Sequence, residues 1–148
     1  MNSDTYERPM PPLSAEEKSL SGELFFLESL FTRLNEENIR YAVMRNYDPL
    51  PFSAGGSDLD LLVAPEDAEK VRALLFSTIT MSGGVPIGVA ESVSFFKVYI
   101  LGQAPQDPGD WWGLRIDMNL GVYYKGSPML ADRGLGYSEQ HHNGIAVL

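Results

Sequence analysis

Apolar residues recur at three- and four-residue steps along the first quarter of the chain. This spacing is typical of an amphipathic helix with one buried stripe. The segment SAEE, Ser14 to Glu17, has the pattern of a capping box, in which Glu17 reaches back to Ser14. The pattern predicts a helix from Ser14 to about Asn35, with weaker early turns because of Ser21 and Gly22. The stripe is formed by Leu20, Leu24, Leu27, Leu30, Phe31 and Leu34.

Short apolar or alternating runs further along the chain predict strands. They cover residues 39–46, 58–63, 84–91, 93–101, 113–124 and 144–148. A second helix is predicted over 64–80, because Pro65 suits a helix start and Glu66 and Asp67 suit its first turn. Residues 103–112, which read QAPQDPGDWW, are rich in turn formers and predict a polar loop.

This order of elements predicts an α+β fold, a mixed β-sheet flanked by helices. Residues 1–13 contain three prolines and no periodicity, which indicates a flexible tail. We therefore expect one domain over 14–148. Because the sequence stops on an apolar run, we also expect that it is the front part of a longer chain.

Composition narrows the possible partners. The chain has 148 residues, and 44% of them are hydrophobic, which is typical of a globular protein. Its net charge of −9 repels phosphate backbones, so we expect no nucleic acid partner. The first residues show no basic start followed by an apolar run, so we expect no signal peptide, and no apolar stretch reaches the roughly 20 residues needed to span a membrane. The chain has no cysteine, so disulfides and thiolate metal sites are excluded. We expect a cytoplasmic protein, and its oligomeric state stays open.

The candidate chemistry starts with GGSDLDLLV, residues 55–63, where Asp58 and Asp60 open an apolar strand. Alternation places both aspartates on one face, with their Cα atoms about 6–7 Å apart. Burying such charges is costly unless water, a basic neighbour or a metal ion compensates them. Two carboxylates at this spacing suit one or two hard cations.

Asp117 in LRIDMNL is the candidate for a third acid. Its strand puts Arg115, Asp117 and Asn119 on one face. Asp117 could be a third metal ligand, or a base that takes a proton from an attacking hydroxyl. Alternatively, Arg115 or Lys97 pairs with it on a solvated face.

Several other residues have a chemical and a structural interpretation. Lys97 could neutralise a phosphate, although an outward lysine is favoured. Trp111 and Trp112 could stack on a base, although a tryptophan pair at the sheet edge is favoured. We expect Tyr123 and Tyr124 to be half-buried and His141 and His142 to lie on the surface.

GGSDLDLLV resembles the metal-binding signature of the nucleotidyltransferase superfamily of the polymerase-beta type. That signature is a small residue and Asp-x-Asp on a strand, with a third acid on a later strand. The resemblance spans Ile39 to Gly121. It is greatest to small bacterial members with an LRNY…LP…SDxDLLV pattern.

The resemblance implies Mg²⁺ or Mn²⁺ held by Asp58, Asp60 and Asp117. It also implies transfer of a nucleoside monophosphate from a nucleoside triphosphate to a hydroxyl of a small-molecule or sugar acceptor. The base and the acceptor stay open.

One departure from the family is that Arg45 and Asn46 stand where members carry Gly-Gly or Gly-Ser. Arg45 could bind phosphate, fill the pocket or pair with Asp58 or Asp60, while Gly55, Gly56 and Ser57 could supply backbone amides. The alternative is a catalytically inactive domain of this fold with a binding or regulatory role.

Overall fold

The computed structural model describes residues 22–56, 58–104, 106–121, 123–124, 127–128 and 140–148. The predicted tail at 1–13, the capping box at Ser14 to Glu17 and Ser57 lie outside the described residues. All statements on structure below concern the described ranges.

Two α-helices form where apolar periodicity and a proline predict them. Helix α1 spans Gly22–Glu36, and helix α2 spans Ala68–Met81 directly after a 3₁₀ turn at Pro65–Asp67. Arg33 ties them together, since its guanidinium donates to the hydroxyl oxygens of Ser77 and Thr78 at 2.7 Å each. No helix in the described part of the chain is both long and apolar enough to cross a membrane.

Nine strands lie in the described ranges: β1 Tyr41–Val43, β2 Leu59–Val63, β3 Gly84–Glu91, β4 Phe95–Ala104, β5 Asp107–Leu120, β6 Tyr123–Tyr124, β7 Ser127–Pro128, β8 Gln140–His142 and β9 Ile145–Val147. They include the six predicted strands, in order and with changed lengths, whereas β7 and β8 were not predicted and the segment 113–124 is divided between β5 and β6. Seven of them form one mixed sheet in the order β3-β4-β5-β2-β1-β9-β8, and β6 and β7 form a separate pair. Strand β2 runs parallel to β5 and antiparallel to β1.

The main hydrophobic core lies between the two helices and one face of the sheet. Alternation explains this, because Leu59, Leu61 and Val63 of β2 point toward the helices and join the same buried cluster as both of them. Asp60 belongs to the opposite face of the strand. The predicted α+β class with a mixed sheet is confirmed, and both described helices pack on the same face.

The polar loop predicted at residues 103–112 is wrong. Strand β4 continues to Ala104 and β5 starts at Asp107, with Gln103 opposite Trp111 and an irregularity before Ala104. Turn-forming residues in this segment are accommodated because Gly109 and Pro108 lie at the outer end of a long hairpin. Composition alone does not distinguish such a hairpin end from a loop.

Trp112 is the tightest packing point of this hairpin. Its ring stacks on Phe26 of α1 with centroids 5.1 Å apart. A Cβ on Gly22 would lie 2.5 Å from the indole, and one on Gly102 would overlap the ring directly. Both glycines are therefore required by the close approach of the helix and strand to Trp112.

We expect Gly102→Ala to lower the free energy of unfolding by about 1–3 kcal/mol, the usual cost of overpacking a filled core. Urea denaturation measures the change. Gly113→Ala is the matched control in the neighbouring strand, because its added Cβ would meet only Ile100 O at 3.6 Å. Equal stability of the two variants would contradict this packing.

Candidate functional site

The centre of the sheet brings the predicted acids together. Strands β2 and β5 are parallel, and their register makes Asp60 and Asp117 direct partners. Asp58 immediately precedes β2, level with Arg115 of β5. Because partners in a sheet share a face, all three carboxylates lie on the face opposite the helices.

Asp60 and Asp117 are buried, at 7% and 8% exposure. Arg45 compensates Asp60, since its Nε donates to Asp60 Oδ2 at 2.5 Å. The backbone positions this contact, because the amide of Met44 donates to Asp60 O at 3.0 Å. Arg45 is thus the first residue beyond the pairing of β1 with β2.

Arg115 compensates the other two acids. Its Nη2 forms an ion pair with Asp58 and lies 3.1 Å from Asp117 Oδ2, so one nitrogen bridges both carboxylates. The guanidinium also lies 5.8 Å from the centre of the Tyr99 ring. Of the alternatives for Asp117, the structure contains the pair with Arg115.

The acidic cluster raises the pKa of both arginines. The hydrogen bond to Asp60 and its charge raise the pKa of Arg45. For Arg115, desolvation acts to lower the pKa, but the contact with Tyr99 and the charges of Asp117 and Asp58 outweigh it, so the pKa is raised. Both guanidiniums are therefore firmly charged.

Two polar atoms at this centre have no hydrogen-bond partner, Asp117 Oδ1 and Arg115 Nε, and both are buried. A buried carboxylate oxygen without a partner is costly unless a ligand satisfies it. Carboxylates are also the ligands that Mg²⁺ takes from proteins, usually one or two of them together with waters and substrate phosphates. The residues therefore fit a divalent cation chemically.

The carboxylates do not converge on a common centre, however. Across the described ranges, no group of three or more histidine, aspartate or glutamate side chains is arranged to hold a metal ion. The guanidiniums of Arg45 and Arg115 lie among these carboxylates and pair with all three of them.

The loop that carries Arg45 is fixed at several points by distant residues. Glu23 of α1 accepts a hydrogen bond from the amide of Ala54 at 2.8 Å. Asn143 donates to Leu50 O at 3.0 Å. His142 lies 3.0 Å from Asp48 O through its Nε2. Helix α1 and the β8–β9 hairpin therefore hold the loop from two sides.

A cavity of about 410 Å³ opens beside the carboxylates, and Gly56, Asp58, Tyr99 and Arg115 are among its lining residues. Gly56 has a φ of +74°, a backbone conformation that suits glycine in a tight turn. The structure thus brings Gly56 near the acids, while Ser57 lies outside the described residues.

Most other candidates lie outside this cluster. Lys97 is the register partner of Asp117, but its ammonium lies over the Phe95 ring, 5.4 Å from the centroid. Trp112 is a core residue and Trp111 is 62% exposed. His141 is exposed as predicted. Tyr123 and Tyr124 form β6, and their side chains are outside the described part of the structure.

Sequence reasoning missed Tyr99 and His142 as neighbours of the site. Tyr99 follows Lys97 by two residues on the same strand face, so alternation was a usable signal. His142 was predicted to be a surface residue only, yet it is half-buried against the Tyr47 ring, with centroids 5.4 Å apart. No local sequence pattern predicts the contact of His142 with Tyr47, because the two residues are far apart in the chain.

Comparison with known proteins adds no family to this geometry, since no family model matches the chain and no curated protein matches it significantly.

We expect Arg115→Met to destabilise the protein, because it leaves Asp117 buried without a counter-charge. The urea midpoint should fall further than in Arg40→Met, which removes surface ion pairs with the exposed Glu66 and the half-buried Asp67. Adding Asp117→Asn should recover part of the loss. Equal midpoints for the two arginine variants would contradict the structural role of the bridge.

Proposed function

We propose that this protein is a metal-dependent nucleotidyltransferase with a nucleotidyltransferase-like fold. The observation that carries the proposal is the pairing of Asp60 and Asp117 on adjacent parallel strands, with Asp58 beside them and Asp117 Oδ1 buried without a partner. Catalysis of phosphoryl transfer needs such a group of acids, because it depends on holding cations against the phosphate oxygens.

The proposed reaction joins a nucleoside monophosphate to an acceptor hydroxyl. The hydroxyl oxygen attacks the α-phosphorus of a nucleoside triphosphate, the bond to the bridging oxygen breaks, and pyrophosphate leaves. Bound Mg²⁺ would stabilise the charge that develops on the phosphate oxygens. Asp58 and Asp60 would hold it, and Asp117 would complete the ligand set or accept the hydroxyl proton.

A small or sugar acceptor suits the site better than a polynucleotide. The chain carries a net charge of −9, which disfavours a long phosphate backbone. The neighbouring cavity of about 410 Å³ is within the range of small-molecule pockets and includes Asp58 and Arg115 in its wall. An acceptor seated there would lie next to the acids.

We expect Mg²⁺-dependent binding of at least one nucleoside triphosphate, and its loss in the double variant Asp58→Ala/Asp60→Ala. Isothermal titration calorimetry with each triphosphate in Mg²⁺ measures both. Glu36→Ala, an exposed acid at the end of α1, is the control and should bind like the wild type. Absence of binding by the wild type, or unchanged binding in the double variant, would contradict the proposal.

The second candidate is a catalytically inactive domain of the same fold that binds nucleotide for a regulatory purpose. Two observations favour it. Both arginines pair with the acids directly, and the sheet has more strands than a typical nucleotidyltransferase fold.

On this alternative the protein binds triphosphate without releasing pyrophosphate, whatever the acceptor. A coupled pyrophosphate assay across hydroxyl acceptors distinguishes the two, and an Arg45→Gly variant would stay inactive.

A further inference from the structure

The two arginines at the acidic cluster are held very differently. The side chain of Arg45 is 67% exposed and contacts the cluster through one hydrogen bond, from Nε to Asp60 Oδ2. Arg115 is half as exposed, pairs with two carboxylates and lies against Tyr99. Arg45 can therefore leave the cluster by side-chain rotation alone, whereas Arg115 is built into it.

The backbone around Arg45 is held on both sides, whereas its side chain is mostly exposed and, among the described residues, is held by Asp60 alone. On one side of Arg45, the backbone amide of Met44 donates a hydrogen bond to Asp60 O, and on the other side Asn46 adopts a φ of +56°. This left-handed conformation turns the chain out of β1 immediately after Arg45. The guanidinium thus lies at the edge of the site, where its Nε contacts Asp60 and most of the side chain is exposed to solvent.

The charge at the cluster is incompletely balanced by the arginines. Three carboxylates face two guanidiniums, which leaves one negative charge in excess, and Asp117 Oδ1 is buried and unpartnered. Exchanging the single charge of Arg45 for a divalent cation would balance the charges and offer a ligand to that oxygen. A guanidinium and a dication compete for Asp60 Oδ2, because like charges repel each other at contact distance.

We propose that Arg45 is an exchangeable counter-ion, which neutralises Asp60 in the cation-free protein and is released to solvent when a divalent cation binds. The inference rests on the proposed metal site and adds a coupling to it. Released Arg45 presents a planar fork of donors beside the site, which suits the anionic oxygens of a triphosphate. Cation binding therefore raises the affinity for triphosphate, and by linkage triphosphate raises the affinity for the cation.

The direct test is the side-chain signal of Arg45 in ¹H–¹⁵N NMR spectra, assigned by its absence in Arg45→Met. In the metal-free protein its Nε–H should be protected from exchange by Asp60. Saturating Mg²⁺ should move the signal to the position of a free arginine and remove that protection. An Arg45 signal that stays unchanged while Mg²⁺ shifts the amides of residues 58–60 would overturn the exchange.

Affinity gives an independent measurement, with Mn²⁺ binding followed by the paramagnetic resonance of the free ion. Arg45→Met should bind Mn²⁺ at least tenfold more tightly than the wild type, because the competitor is gone. The same variant should bind inorganic triphosphate in Mg²⁺ at least tenfold more weakly. Arg40→Met removes an exposed arginine beside Glu66 and Asp67, and it should change neither value.

The outcomes separate this inference from the function on which it rests. Equal Mn²⁺ affinity in the wild type and Arg45→Met would overturn the counter-ion exchange and leave the metal site standing. Failure of both proteins to bind Mn²⁺ would overturn the metal site as well. If Arg45→Met is misfolded by circular dichroism, the Arg45 Nε–H signal is assigned in the wild type by through-bond correlation to its own backbone amide, and the NMR experiment on the wild type still decides the question.

Discussion

The structure depends on the compensation of two buried carboxylates on neighbouring strands. Asp60 and Asp117 are brought side by side by the parallel register of β2 and β5, at the centre of a seven-stranded sheet. Without counter-charges this register would place like charges together in a poorly solvated position. Arg115 supplies one counter-charge from within the sheet, and Arg45 supplies the other from the loop that follows β1.

This arrangement explains why fold and candidate chemistry are linked here. The hydrophobic face of β2 secures the strand against the helices, so the opposite face is free to carry charge. Apolar burial on one face of β2 therefore offsets the free-energy cost of burying charged groups on the other face. A site that is assembled from adjacent central strands is also rigid, which suits chemistry that depends on the positions of oxygens to within fractions of an ångström.

Much of this could be predicted from particular residues. Alternation in DLDLLV and LRIDMNL correctly placed the acids on one face of each strand, and Pro65 marked the start of the second helical segment. The pairing of β2 with β5 was not predictable, because register between strands more than fifty residues apart depends on the whole sheet. The hairpin end at residues 103–112 was mistaken for a loop, since the packing of Trp112 overrides local turn propensity there. The sequence leaves the partners of Arg45 and Arg115 open, because only the folded geometry determines which acid each arginine contacts.

The β8–β9 hairpin contacts the loop at residues 44–56, and this determines when the contacts of the loop can form during translation. Val147 pairs with Val43, and Asn143 binds Leu50 O, so contacts across about a hundred residues finish the surroundings of Arg45. On the ribosome, α1, β1 and the aspartates of β2 emerge long before the hairpin that fixes this loop. The contacts that hold this loop from the side of the hairpin can therefore form only after residues 140–148 have left the exit tunnel.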